Sequence, residues 1–124
     1  MRVLLVDDEE ELVSTLAERL NMRGIEADWA TKVEDAISLV GETSYDIAVL
    51  DIKLPKMSGL QLKKKLEDLR PKMKFIFMTG HGSEADFRTG AAEAGEAFYL
   101  VKPVGIEILV EKMQEVMQSE GKRS

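Results

Sequence analysis

Ile47-Ala48-Val49-Leu50-Asp51-Ile52-Lys53-Leu54-Pro55-Lys56-Met57-Ser58-Gly59 opens with four apolar residues and meets a carboxylate at Asp51. A proline loop and a serine suited to start a helix follow. An apolar run this short, with turn signals close behind, reads as a strand buried on both faces. Three more runs share the pattern. Val3-Leu4-Leu5-Val6 ends on Asp7-Asp8, Phe75-Ile76-Phe77-Met78 on Thr79, and Phe98-Tyr99-Leu100-Val101 on Lys102-Pro103. In a parallel sheet all four ends lie along one edge, which then gathers carboxylates, a hydroxyl and an ammonium. A hydrophobic core needs none of these groups, whereas a magnesium-dependent phosphate site needs all of them.

Helical periodicity fills the intervals. Leu12, Val13, Leu16, Ala17 and Leu20 share one face, and Gly24 is the expected stop. Ile25, Ala27 and Trp29 alternate with Glu26 and Asp28, the period of a strand half exposed at a sheet edge. Val33, Ala36, Ile37 and Val40 form a second helical face ending near Gly41. Ser58 caps a third helix with Leu62, Leu66 and Leu69 inside and Pro71 closing it. An alanine-rich fourth helix is expected over Ala85 to Ala94, with Gly90 inside it. A fifth follows Gly105, with Ile106, Leu109, Val110, Met113, Val116 and Met117 in register.

Regular alternation of strand and helix predicts a doubly wound α/β domain of the flavodoxin-like kind, (βα) repeated five times, with a parallel sheet in the order 2-1-3-4-5. Its ligand site falls where the winding reverses, between the first and third strands. Residues 1–118 are read as this domain and 119–124 as a polar, frayed tail.

Composition narrows the class. The chain has 124 residues, 44% of them hydrophobic and 32% charged, the proportions of a soluble single domain. It has no cysteine, which excludes disulfides and thiolate metal sites. Its apolar stretches are too short to span a bilayer, and the apolar start meets two acids at once, unlike a signal peptide. A cytoplasmic location with no membrane partner is the expectation. The net charge of −6 argues against direct nucleic-acid binding, and Lys63-Lys64-Lys65 with Arg70, Lys72 and Lys74 reads as a solvated helix face and its exit.

The acid pair Asp7-Asp8, the segment from Asp51 to Gly59, Thr79-Gly80 and Tyr99-Leu100-Val101-Lys102-Pro103 together resemble the receiver domain of two-component response regulators, over essentially the whole chain. The resemblance implies the 2-1-3-4-5 order as well, since the family's chemotaxis member has it. It makes Asp51 the phosphoacceptor, fed by a histidine kinase or a histidine phosphotransfer protein. Mg²⁺, with Mn²⁺ as a substitute, would be held by Asp7, Asp8, Asp51 and the backbone carbonyl of Lys53, Asp8 in direct contact and Asp7 through water. Three clustered carboxylates without metal repel, which raises at least one pKa. Thr79 and Lys102 would bind phosphoryl oxygens, and the Lys102-Pro103 bond is expected to be cis. Glu9, Glu10 and Glu11 are read only as acids favouring a helix start.

Tyr99 is read either as a switch that moves inward with Thr79 or as an edge aromatic with its hydroxyl in water. Lys53 and His81, flanking the site mouth, are expected to tune the lifetime of the acyl phosphate. Readout is expected on the face of the fourth helix, fifth strand and fifth helix, with phosphorylation-dependent dimerisation through that face as a further reading. Such a domain processes its own phosphoryl group and turns over no external metabolite.

Three alternatives accompany this reading. A magnesium-dependent phosphatase with an aspartate nucleophile carries a second acid two residues later, where this chain has Lys53. A flavodoxin-like electron carrier needs a Thr/Ser-rich phosphate loop after the first strand, where this chain has five acids, Asp7 to Glu11. An unphosphorylated interaction module on the same fold normally lacks one of the five site residues. No effector unit follows the fifth helix in these residues, so the chain either acts alone through protein contacts or is part of a longer regulator.

Overall fold

A computed structural model describes residues 1–80 and 98–121. Five strands, β1 (Arg2–Val6), β2 (Glu26–Ala30), β3 (Ile47–Asp51), β4 (Lys74–Thr79) and β5 (Phe98–Val101), form one parallel sheet in the order β2-β1-β3-β4-β5. The described helices are α1 (Glu10–Met22), α2 (Val33–Glu42), α3 (Gly59–Leu69) and a C-terminal helix (Ile106–Gly121). The expected α/β architecture and strand order are therefore present. The fourth expected helix, Ala85 to Ala94, lies outside the described residues. The C-terminal helix runs to Gly121, into the segment expected to be a polar tail.

Alternation along the central strands divides the core in two. Leu4, Val6, Ala48, Leu50, Phe75 and Phe77 pack with Val33, Ala36 and Val40 of α2 and with Leu62 and Leu66 of α3. On the other face Val3, Leu5, Val49, Ile76 and Met78 meet α1 and the C-terminal helix through Leu16, Leu20, Leu109 and Met113. The strands are apolar throughout because both faces are covered. β2 pairs only with β1, and its residues are mostly exposed, as the period-two pattern requires of an edge. Trp29 remains 38% exposed there, and Leu69, expected on the inner side of α3, is 46% exposed.

The helix ends follow from local chemistry. Gly24, at φ 81°, closes α1 in the left-handed conformation, with the Gly24 N–H donating to Asn21 O and the Ile25 N–H to Leu20 O. Ser58 and Gln61 form a reciprocal capping box at the start of α3. Arg70, which ends α3, donates from its guanidinium to Val40 O and clasps the last turn of α2.

Candidate functional site

Each strand delivers its terminal group to the same edge. Asp7 follows β1, Asp51 ends β3, Thr79 ends β4 and Lys102 follows β5. Asp7, Asp51 and Thr79 are buried, unusual for such groups unless they are partnered. Counting by twos from Leu5, Val49 and Leu100 puts Asp7, Asp51 and Lys102 on the α1 side of the sheet. The same counting from Phe77 puts Thr79 on the opposite side, with Tyr99.

Lys102 is the centre of the charged group. Its ammonium lies 2.5 Å from Asp7 Oδ2, 3.1 Å from Asp51 Oδ2 and 3.2 Å from Glu9 Oε1. The main chain holds it there, since the Lys102 N–H donates to Thr79 O at 2.7 Å. The Lys102-Pro103 bond is cis, as the resemblance implied. The second oxygens of the acids are also fixed. Asp7 Oδ1 accepts from the Glu9 N–H at 2.9 Å, and Asp51 Oδ1 from the Lys53 N–H at 3.1 Å.

Burial pushes the Asp7 and Asp51 carboxyls above the usual carboxylate range, against the pull of Lys102 and of the backbone N–H groups. Repulsion adds to the rise, from Asp51 on Asp7 and from Asp8 on Asp51, but as a smaller cause than the burial. The expected rise is present with its causes in a different order. Burial works against the charged form of Lys102, yet the Asp7 and Asp51 carboxylates outweigh it and hold the ammonium above its ordinary range.

The donor set suits a hard divalent cation. One oxygen from each of Asp7, Asp8 and Asp51 lies within 4.8 Å of the other two. Ligands on opposite sides of a cation at about 2.1 Å stand roughly 4.2 Å apart, so this spacing is compatible with shared coordination. Asp7 Oδ2 is buried against the Lys102 ammonium and, among the described residues, has no hydrogen-bond partner beside that ion pair. Asp8 is exposed at the mouth.

The β3–α3 loop approaches from the third side. Lys53 pairs with Ser58 across it, and the Gly59 N–H donates to Ile52 O at 2.7 Å. A Cβ on Gly59 would run into the Asp51 carbonyl oxygen. The Lys53 side chain is exposed. Tyr99 stacks on Phe77 with ring centroids 5.3 Å apart and an interplanar angle of 21°. Its hydroxyl oxygen is shielded from solvent, unlike the water-facing edge aromatic that was one reading of it. His81 lies outside the described residues.

Glu9 and Gly59 had no role in the sequence reading beyond helix start and motif. Glu9 occupies the position before α1 where a short side chain usually caps the helix, and its side chain makes no such cap. A long acid at that place is the one signal that could have pointed to Lys102.

The sequence profile of the response regulator receiver domain matches residues 3–114. The chain is 35% identical over 117 residues to the transcriptional regulatory protein CpxR of Klebsiella pneumoniae, covering 94% of this chain and 49% of that protein. With the two-component response regulator PhoP of Pseudomonas aeruginosa it shares 34% identity over 118 residues, 95% of this chain and 52% of that protein. It thus spans about half the length of these curated relatives. A CheY-like receiver domain protein from Methanospirillum hungatei superposes with a TM-score of 0.85 at 31% identity, over 99% of this chain and 98% of that one. A two-component response regulator from Clostridium difficile gives 0.83 at 27% identity, over 95% and 96% of the two chains.

Proposed function

The chain belongs to the response regulator receiver domain family, and on that premise we propose that Asp51 accepts a phosphoryl group from a histidine kinase or a histidine phosphotransfer protein. The observation that carries this reading is the Lys102 ammonium on Asp51 Oδ2, beside carboxylate oxygens of Asp7 and Asp8 spaced for a cation.

In this proposal an Asp51 oxygen attacks phosphorus, the phosphorus–nitrogen bond of the donor phosphohistidine breaks, and the imidazole leaves. The Lys53 N–H holds the plane of the Asp51 carboxylate during attack. Lys102 passes its N–H donors from the Asp51 carboxylate to a phosphoryl oxygen, and the Thr79 hydroxyl takes another. Asp7, Asp8, Asp51 and the Lys53 carbonyl would hold Mg²⁺ or Mn²⁺, which when bound offsets charge on the transferring group. The chain turns over no external metabolite in this scheme. Lys53 and His81 are assigned the tuning of acyl-phosphate lifetime.

Tyr99 is assigned the switch, since it shares a sheet face with Thr79 and stacks one pair of residues below it on Phe77. Readout is assigned to the surface of β5 and the C-terminal helix, together with residues 85–94. Val101 and Ile108, 53% and 51% exposed, support that choice and also dimerisation through it on phosphorylation. No helix among the described residues is long and apolar enough to cross a membrane, in keeping with a proposed cytoplasmic location. The partners proposed for this domain are proteins, with no direct nucleic-acid contact.

Incubation with Mg²⁺ and a small acyl-phosphate donor tests the reading by intact mass. The parent should gain one phosphoryl group and Asp51→Asn none. Equal uptake by both would overturn it.

A further inference from the structure

The β2 margin of the sheet carries a groove that the phosphoryl scheme leaves unused. It holds about 700 Å³, with Glu18, Asn21 and Met22 of α1, Asp28 and Trp29 of β2 and Leu39 of α2 along its walls. A volume of this size admits a short segment with its side chains. Trp29 is the single tryptophan of the chain, and it is exposed here together with Met22, which is 79% exposed. Large apolar groups gathered in one concave place mark a contact surface, whereas scattered ones do not. None of these residues belongs to the strand-end site.

The walls also select what fits. The Asn21 amide donates to Ala27 O at 3.2 Å and accepts from the Ala27 N–H at 3.0 Å. Both backbone polar groups of Ala27 are thereby used, so an occupant cannot add to β2 there as a further strand and must enter by its side chains. Glu18 and Asp28 are exposed carboxylates with no ion-pair partner among the described residues. Asp28 gives Oδ2 to the Tyr45 hydroxyl at 2.6 Å, which leaves Oδ1 for another donor. An indole beside two carboxylates favours a cation. A planar guanidinium suits it best, because it stacks on the ring and pairs with a carboxylate at once. A second copy, with its net charge of −6, is a poor match for this margin, and a basic partner is a good one.

We propose that this groove docks an arginine-bearing segment of a partner protein. One guanidinium stacks on Trp29 and pairs with Glu18 or Asp28, and an aliphatic side chain of the segment packs on Met22 and Leu39. The contact needs neither Asp51 nor a divalent cation, so it stands apart from the phosphoacceptor reading.

The probe is the blocked peptide Leu-Arg-Leu-Arg-Leu, titrated into the whole chain at low salt and followed by Trp29 fluorescence and by calorimetry. It should shift the emission saturably and bind about three-fold more tightly than Leu-Lys-Leu-Lys-Leu. Leu-Glu-Leu-Glu-Leu should not bind. Glu18→Gln with Asp28→Asn should weaken the arginine peptide about five-fold, the order expected for two exposed ion pairs. An asparagine there still accepts from the Tyr45 hydroxyl, so the fold keeps that bond. Glu107→Gln with Glu111→Gln removes as much charge from the C-terminal helix and should leave affinity at the parent value. Trp29→Leu, read by calorimetry, should lose the preference for arginine over lysine. No binding of the arginine peptide, or equal binding of the arginine and lysine peptides by the parent, would overturn the proposal. Equal weakening by the two double variants would overturn it as well, because net charge alone would then account for the binding.

Discussion

Asp7 and Asp51 each face an ammonium, yet both carboxyls sit above the usual carboxylate range because burial outweighs the pairing. The sign of the consequence follows from linkage. A carboxyl with a raised folded pKa binds its proton more tightly in the folded chain than in the unfolded one. Its contribution to stability is complete below the unfolded pKa and is lost as pH rises through the folded value. Metal-free protein should therefore lose stability over that window. Asp51→Asn should raise the urea midpoint at neutral pH and reduce the slope, as measured in urea titrations with a chelator from pH 4 to 8. An unchanged slope in Asp51→Asn would mean that Lys102 already neutralises the site.

Between residue and fold stands the contact of α3 with β3. The capping box at Ser58 and Gln61 fixes where the helix begins, and Gly59 lets its first turn press on the Asp51 main chain. Gly59→Ala puts a methyl group against that carbonyl. Overpacking of this kind costs typically about 1–3 kcal/mol. The variant should show a lower urea midpoint and slower phosphoryl uptake together, because the displaced atoms belong to Asp51 itself. The cap was legible in the sequence, since Ser58 precedes a helical pattern and capping is local. The clash at Gly59 was not, because it depends on the distance between two elements.

At the scale of the molecule, the strand order and the gathering of Asp7, Asp51, Thr79 and Lys102 at one edge could be read from periodicity and strand ends. Both come from repeated short-range patterns. Trp29 and Leu69 escaped that reading. Each holds the correct phase for burial but lies at a margin where neighbouring elements do not cover it. Glu9 escaped for the opposite reason: its partner, Lys102, is 93 residues away.

The sheet margin formed by β2 carries a further consequence. A parallel sheet leaves backbone donors and acceptors open along its outer strands, a template on which another chain can add. Glu26 and Asp28 are both exposed on β2. A second copy of β2 laid along it would bring carboxylates against carboxylates. Glu26 and Asp28, the partners of Arg2 and Tyr45, are therefore expected to guard this edge against pairing with a second copy. The double variant Glu26→Gln with Asp28→Asn keeps the shapes and removes the repulsion. Light scattering should then detect concentration-dependent association at low salt that the parent does not show.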